Sequence, residues 1–284
     1  MHYVGPIEES LFSAPPSHMP RAEGFRRAGL LHRAQGTVHM GYSVAELQPG
    51  GRVDPCFHAY EKGVYVTEGE AELNRDGKAC RLGPGDYALV PAGAAHAWRN
   101  RGGKRARWVE MCAPQPKLPG GWPDTFFPGA LAWPAEVPAP PFGDPSLRGI
   151  GHFDWSQIPP PAFVHPNLHG FSRRMLMDRP FGSQQFDMFM VQFAGGGLCN
   201  HHDHPFEEAY LMLEGEVGFA AEGKEYVLRP GDIAWTGVGA VHAFFPDRGM
   251  AARWLEVMAP QPPDQNAIRF YAPWDHLRTR PGLG

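Results

Sequence analysis

The chain has 284 residues, of which 43% are hydrophobic and 20% charged, a composition typical of folded globular proteins. The formal net charge of −4 argues against a nucleic-acid partner, and no apolar stretch approaches the roughly 20 residues of a membrane-spanning helix. Four cysteines without a CxxC spacing are too few for a disulfide scaffold. Since no secretion signal opens the chain either, we expect a cytoplasmic protein with reduced cysteines.

The chain repeats itself at a constant offset of 146 residues. Between Gly50 and Pro116, 27 of 67 positions are identical to those between Gly196 and Pro262, with no gap. Agreement of this length at one offset indicates two homologous halves. We predict an N-terminal domain over residues 1–130, a proline-rich linker over 131–158, and a C-terminal domain over 159–284.

Each half consists of short apolar segments separated by turn residues. In the second half, FDMFMVQF is followed by breaks at Glu214-Gly215, Glu222-Gly223 and Pro230-Gly231-Asp232. Turn signals about eight residues apart predict an all-β sandwich or barrel. The only helix that we expect is a short one over PWDHLR near the C-terminus.

Four residues of the second half have the side chains and spacing of metal ligands. His202 and His204 are two apart and share a strand face, and Glu208 keeps the same parity. His242 begins a later apolar segment that a barrel can bring back to the same point. Three imidazoles and one carboxylate suit Fe(II), Mn(II), Ni(II), Zn(II) or Cu(II) without choosing among them. We predict one divalent transition metal per chain.

A six-coordinate ion held by four side chains keeps two positions open for water, dioxygen or substrate, which is typical of a catalytic site. Parity suggests which side chains surround it, and Tyr210 and Gln192 are the better candidates for polar contact with substrate. Glu256 could act as a base, although its counterpart Glu110 in the first half favours a structural role. The predicted pocket residues are Tyr210, Met212, Gln192, Met190, Phe244 and Glu256.

The second half resembles the cupin superfamily. The first cupin motif is G-x5-H-x-H-x3-E-x6-G, and the second is G-x5-P-x-G-x2-H-x3-N. The residues that match them are Gly196, His202, His204, Glu208 and Gly215, then Gly231, Gly239 and His242, with Gly237 and Pro246 in place of Pro and Asn. The resemblance covers nearly the whole chain. It implies a bicupin: two tandem double-stranded β-helix (jelly-roll) barrels in which residues 146 apart are equivalent.

The first half keeps the second cupin motif but has a damaged first motif. Cys56 stands where His202 does and Lys62 where Glu208 does, while His58 and His96 are retained. A lysine in a ligand position repels a cation unless it is neutralised, so we predict a degenerate, metal-free site. The alternative is a zinc site of Cys56, His58 and His96. Lys62 could also serve as an anion-binding or catalytic amine, but a lysine at the mouth of a barrel is more often solvated.

The resemblance leaves three hypotheses for function. Cupins with three histidines and one glutamate often bind Fe(II) and cleave C–C bonds with dioxygen, which implies a dioxygenase for an aromatic or diketone-like small molecule. The second hypothesis is a non-redox aminohydrolase, isomerase, decarboxylase or lyase. The layout is similar to ureidoglycine aminohydrolases, but the ligand set departs from theirs. The third is a small-molecule-binding cupin without catalysis. A homo-oligomer is compatible with all three.

Overall fold

The computed structural model describes residues 1–118, 120–140, 142–143, 148–162, 166–245, 251–263 and 268–271. Within these ranges the regular elements are β-strands and short 3-10 turns, and no α-helix occurs there. The predicted helix over PWDHLR and the substituted Pro246 lie outside the described residues. None of the described helices has the length and hydropathy to cross a membrane.

The first compact unit, here the N-terminal barrel, comprises Ile7–Asp154 and Leu176–Phe186. Its strands are β2 Ala22–Leu31, β3 Gly41–His58, β4 Glu61–Glu68, β5 Ala71–Arg75, β6 Lys78–Leu82, β7 Asp86–Val90, β8 His96–Arg99, β9 Ala106–Ala113, β10 Thr125–Phe126 and β11 Ile150–His152. They form a curled sheet in the order β11-β7-β4-β9-β3-β8-β5-β6, with β2 and β10 also on β3. Three 3-10 turns span Glu9–Leu11, Pro16–His18 and Arg33–Gln35.

The second unit, here the C-terminal barrel, comprises Met1–Pro6, Trp155–Met175 and Asp187–Gly284. Its strands are β1 His2–Pro6, β12 Leu168–Met177, β13 Asp187–Asp203, β14 Glu207–Gly215, β15 Val217–Ala221, β16 Lys224–Leu228, β17 Asp232–Thr236, β18 His242–Phe245, β19 Ala252–Ala259 and β20 Arg269–Phe270. The sheet order is β1-β17-β14-β19-β13-β18-β15-β16, with β12 and β20 on β13. A 3-10 turn spans Trp155–Gln157.

The two sheets have the same topology, and their pairing follows the sequence repeat. Cys56 is opposite His96 in the N-terminal barrel, just as His202 is opposite His242 in the C-terminal barrel. Their cores are equivalent as well, since each packs apolar side chains around a buried tryptophan on its last long strand, Trp108 on β9 and Trp254 on β19. The predicted all-β fold of two tandem jelly-roll barrels is therefore confirmed.

The compact units differ from the predicted domain boundaries because β1 of the predicted N-terminal domain pairs in the C-terminal barrel, and β11 of the predicted linker pairs in the N-terminal barrel. β1 pairs with β17, and β11, which is the repeat equivalent of β1, pairs with β7. The proline-rich segment also packs on the N-terminal barrel, where the carbonyl oxygens of Ala132 and Pro138 accept hydrogen bonds from Asn74 and Arg81. A proline has no backbone N–H but can still accept a hydrogen bond through its carbonyl oxygen. The proline-rich segment is therefore held against the barrel and is not a free linker.

One glycine in each barrel lies at the end of the strand that closes the first motif. Gly69 and Gly215 have φ angles of +64° and +72°, which favour glycine. A Cβ at either position would collide with the carbonyl oxygen of Arg105 or Ala251 on the neighbouring strand. The final glycine of the first cupin motif is thus a packing requirement and is met in both halves.

Candidate metal centre

Four buried side chains converge at one point inside the C-terminal barrel. His202 lies on β13 and His204 directly follows it, while Glu208 is on β14 and His242 begins β18. One ligand-type atom of each residue lies within 4.8 Å of those of all the others. Each residue is 5% exposed or less. The structure thus brings together the four residues that the sequence predicts.

The three histidines of this cluster share one orientation. In each ring Nδ1 donates to a backbone carbonyl: His202 to Asn200 at 2.8 Å, His204 to Phe206 at 2.8 Å, and His242 to Ala240 at 2.9 Å. A proton held on Nδ1 by this bond makes Nε2 the ring nitrogen that is available to a metal ion. This is the outer hydrogen bond that metal-binding histidines commonly make.

Glu208 is the anionic member of the cluster. Its Oε2 lies 2.7 Å from His204 Nε2 and 3.3 Å from His242 Nε2, and it accepts a hydrogen bond from the Tyr210 hydroxyl. Burial opposes ionisation, but the neighbouring His204 outweighs it, and the pKa of Glu208 is held well below its usual range. Glu208 is therefore a carboxylate in the folded protein.

His202 is an uncharged donor. Burial, followed by the nearby His242, lowers the pKa of His202 to about 3. The His202 and His242 rings are only 4.1 Å apart between centroids. Closely packed imidazoles around one carboxylate provide the borderline N and O donors that suit a divalent transition metal. The residues present therefore fit such an ion.

Three of the predicted pocket residues, Tyr210, Met212 and Phe244, lie on the barrel interior. The Tyr210 hydroxyl is 3.1 Å from His242 Nε2 and 3.3 Å from Thr236 Oγ1. Met212 and Phe244 belong to the apolar core, where Phe244 stacks on Trp254. Tyr210 is thus the predicted pocket residue that carries a polar atom into the cluster.

Glu256 is also interior, beside the cluster. It accepts a hydrogen bond of 2.8 Å from Trp254 Nε1 and contacts Glu208. Burial, followed by the charge of Glu208, raises the pKa of Glu256 well above its usual range. The tryptophan–glutamate bond recurs in the N-terminal barrel, where Trp108 Nε1 donates to Glu110 at 3.1 Å.

Gln192 and Met190 were predicted on the pocket side of β13, and for these two residues the prediction is wrong. The core side of β13 carries Phe189, Val191 and Phe193 instead. Gln192 lies on the opposite side and accepts hydrogen bonds from Arg253. The parity was counted from the histidines, but the strand pairing shifts register between Cys199 and His202, which reverses the faces.

The degenerate site of the N-terminal barrel is assembled but arranged differently. Cys56 Sγ lies 3.7 Å from His96 Nε2, and burial raises the pKa of the Cys56 thiol to about 11. His96 has the same orientation as the histidines of the C-terminal cluster, because its Nδ1 lies 3.2 Å from a backbone carbonyl oxygen, that of Ala94. His58 does not, since its Nδ1 hydrogen bonds to Thr125 Oγ1 at 3.0 Å. All four cysteines of the chain are buried and unpaired.

Two features of this barrel were not predicted from the sequence. His18 lies with Cys56 and His58, with one ligand-type atom of each within 4.8 Å of the others. It comes from a 3-10 turn outside both motifs, so the repeat gave no signal for it. Lys62 is 2% exposed rather than solvated, and its Nζ lies 3.3 Å from Glu110 Oε1.

Comparison with known proteins identifies the family. The Cupin domain family model matches twice, over residues 43–112 and 189–258. The chain is 35% identical over 108 residues to Protein SchB of Streptomyces halstedii, a match covering 37% of this chain and 77% of SchB. It is 36% identical over 89 residues to Polyketide synthase CurC of Streptomyces cyaneus, covering 30% of this chain and 56% of CurC. The chain therefore belongs to the cupin family, with two tandem cupin domains.

Solved structures share the architecture at low identity. A salicylate 1,2-dioxygenase from Pseudaminobacter salicylatoxidans matches with a TM-score of 0.64 at 14% identity, covering 81% of this chain and 75% of that chain. The oxalate decarboxylase of Lactobacillus farciminis matches with a TM-score of 0.64 at 14% identity, covering 98% and 90%. At these identities the likeness establishes the fold, and the two enzymes named catalyse different reactions.

Proposed function

We propose that the protein is a metal-dependent enzyme whose active site is the His202, His204, Glu208 and His242 cluster. The observation that carries the proposal is the shared orientation of the three histidines. Each donates Nδ1–H to a backbone carbonyl, so each presents its Nε2 lone pair to the point where Glu208 supplies a carboxylate oxygen. A divalent ion of the class Fe(II), Mn(II), Ni(II), Zn(II) or Cu(II) would be held there, one per chain.

The bound ion would supply Lewis-acid or oxygen-activating chemistry, and the surrounding chain performs the rest. Glu208 offsets part of the ion's charge, whereas the neutral imidazoles offset none. The Tyr210 hydroxyl, which donates its proton to Glu208, is the polar group placed to accept a hydrogen bond from a substrate hydroxyl. Phe219, Phe244 and Trp254 surround Tyr210 with apolar surface and exclude water from its side of the site.

The reaction that we propose is an oxygenation of an aromatic or diketone-like small molecule. An interior rich in phenylalanine and methionine suits such a substrate, and few polar groups compete with it for the ion. The names of two similar proteins agree with this class, since one is a polyketide synthase and another a salicylate dioxygenase. Oxygen uptake in the presence of candidate substrates, with metal content measured on the same sample, tests the proposal. Turnover that persists without oxygen would refute it.

The second candidate is a non-redox reaction, and the position of Glu256 favours it. A carboxyl group beside Glu208 and bonded to Trp254 can hold a proton next to the reacting atoms. A decarboxylase, isomerase, lyase or aminohydrolase would use such a proton. Product formation without oxygen consumption supports this candidate, and ammonia release from ureidoglycine would identify the aminohydrolase version. Tight binding of a small molecule without turnover would favour a binding protein.

A further inference from the structure

A cavity of about 650 Å³ opens within the N-terminal barrel. Its walls come from β2, β3 and β9, together with residues 15–17, 115–118 and 120–125. Leu31, Tyr60 and Trp122 contribute apolar surface to it. The volume is in the range of small-molecule sites, which typically combine apolar walls with a few directed polar groups.

Two buried donor groups in this cavity lack acceptors among the described residues. Arg27 Nε lies 2.9 Å from Glu110 Oε2, whereas no described residue accepts a hydrogen bond from the buried Arg27 Nη2. No described residue pairs with the buried Tyr42 hydroxyl either, on a residue that is 1% exposed. Buried donors are rarely left unsatisfied because they lose their hydrogen bonds to water. A ligand that offers acceptor oxygens would satisfy both.

The charge of the cavity floor favours an anionic ligand. Glu110 is shared by Arg27 and by Lys62, whose Nζ is 3.3 Å from Glu110 Oε1. Burial alone would raise the pKa of Glu110, but the charges of Arg27 and Lys62 lower it to about 2. One carboxylate thus offsets only one of two cations. The cavity also carries Arg33 and Lys117, which are exposed, and Asp124, which is partly buried.

We propose that this cavity is a second ligand site, in the barrel without the full metal-ligand set, for a small organic carboxylate with an apolar body. The carboxylate oxygens accept from Arg27 Nη2 and the Tyr42 hydroxyl, since a guanidinium matches carboxylate geometry. The body of the ligand lies against Leu31, Tyr60 and Trp122. The Tyr60 ring stacks on His58, which together with Cys56 belongs to a group of metal-ligand side chains. The excess positive charge of the cavity nevertheless disfavours a cation.

Benzoate is the probe, and its binding is measured by isothermal titration calorimetry on the full chain. We expect benzoate to bind and benzamide, which has the same shape without the charge, to bind at least tenfold more weakly. Arg27→Gln should weaken benzoate binding at least tenfold, and Tyr42→Phe about threefold to tenfold. Arg26→Gln is the matched control, because it removes the same charge from a side chain paired with Glu9 and Glu46, and it should leave the affinity unchanged.

A protein that carries both His202→Ala and His242→Ala should bind benzoate as the parent does, which separates this site from the metal cluster. Circular dichroism checks the fold of each variant. If Arg27→Gln does not fold, Tyr42→Phe alone decides, because it removes only the unpartnered hydroxyl. The proposal is overturned if benzoate does not bind at millimolar concentration or if benzamide binds equally well. It is also overturned if affinity is insensitive to both substitutions or is lost with the metal cluster.

Discussion

The two barrels have the same fold and the same tryptophan–glutamate hydrogen bond, but they differ in the sign of one buried charge. Lys62 in the N-terminal barrel occupies the position of Glu208 in the C-terminal barrel. Burial alone would raise the pKa of Glu110, but the charges of Arg27 and Lys62 lower it to about 2. In the C-terminal barrel, burial and the charge of Glu208 raise the pKa of Glu256 well above its usual range.

Substitutions at the ligand positions, above all the one that reverses a charge, change what a barrel interior can accept. With Glu208, three neutral imidazoles and a carboxylate form a donor set for a cation. With Lys62, the retained glutamate is used in an ion pair, and the cations that remain favour an anion. A repeat can therefore keep its fold and change its ligand, because the strand pairing does not depend on these side chains.

The largest effect is expected from removing a histidine of the C-terminal cluster. His202→Ala or His242→Ala deletes one of four donors and should strip the metal or weaken its retention by roughly a hundredfold or more, while the N-terminal barrel stays folded. Elemental analysis of the purified variants measures this. His201→Ala is the control, since His201 is exposed next to the cluster. Full metal content in both cluster variants would show that the ion is held elsewhere.

Rebuilding the ligand set in the N-terminal barrel is the converse experiment. The double variant Cys56→His, Lys62→Glu, with His58 and His96 retained, should bind a second metal ion per chain. Elemental analysis against the parent protein measures the gain. A folded variant that binds none would mean that matched spacing is insufficient. The orientation of His58, whose Nδ1 bonds to Thr125 rather than to a carbonyl, would then be the missing requirement.

A smaller loss is expected for Glu208→Gln. The substitution keeps the shape and one carbonyl oxygen but removes the anionic donor, so metal affinity should fall by roughly tenfold to a hundredfold with little change in the fold. Metal affinity by competition with a chelator, together with a thermal melt, measures both. Glu214→Gln on the same strand is the control, because Glu214 is exposed and pairs with Arg253. Equal retention in the two variants would contradict a role for the Glu208 charge.

A further prediction concerns the two equivalent glutamates, whose replacement affects stability rather than metal binding. In chelator-treated protein, Glu110→Gln should lower the free energy of unfolding by about 3 kcal/mol, because it leaves Arg27 and Lys62 without their buried carboxylate. Glu256→Gln should cost about 1 kcal/mol or less, because a protonated carboxyl and an amide differ little in charge. Urea unfolding of both variants beside the parent measures the difference, and equal losses would contradict the comparison.

The cost of Glu110→Gln should also depend on pH. The folded-state pKa of Glu110, about 2, lies below its ordinary value of 4.5. Its ionised form therefore contributes stability above about pH 4.5, and the contribution is lost as the pH falls toward 2. The gap between parent and variant should be full at pH 7 and should shrink at pH 3. A gap that is constant with pH would show that the ion pair is not its cause.

The sequence alone determined the two-barrel fold and the four-residue cluster. A repeat at one offset, turn signals at regular spacing and two histidines two residues apart are local patterns, and the pleat of a strand converts such spacing into a shared face. The motif glycines could also be identified from the sequence, because a positive φ angle at such positions favours glycine over other residues. The cytoplasmic location and the count of one metal ion per chain stay predictions.

Only the tertiary structure decided what depends on distant chain segments. The register shift before His202 reversed the faces expected for Gln192 and Met190. Strand β11 pairs with β7, and the carbonyl oxygen of Pro138 accepts a hydrogen bond from Arg81, so parts of the predicted linker pack in the N-terminal barrel. His18 reached Cys56 from a turn outside the repeat, and Glu110 reached both Arg27 and Lys62 from another strand. Contacts of this kind follow from packing, which brings together residues whose spacing in the sequence carries no periodic pattern.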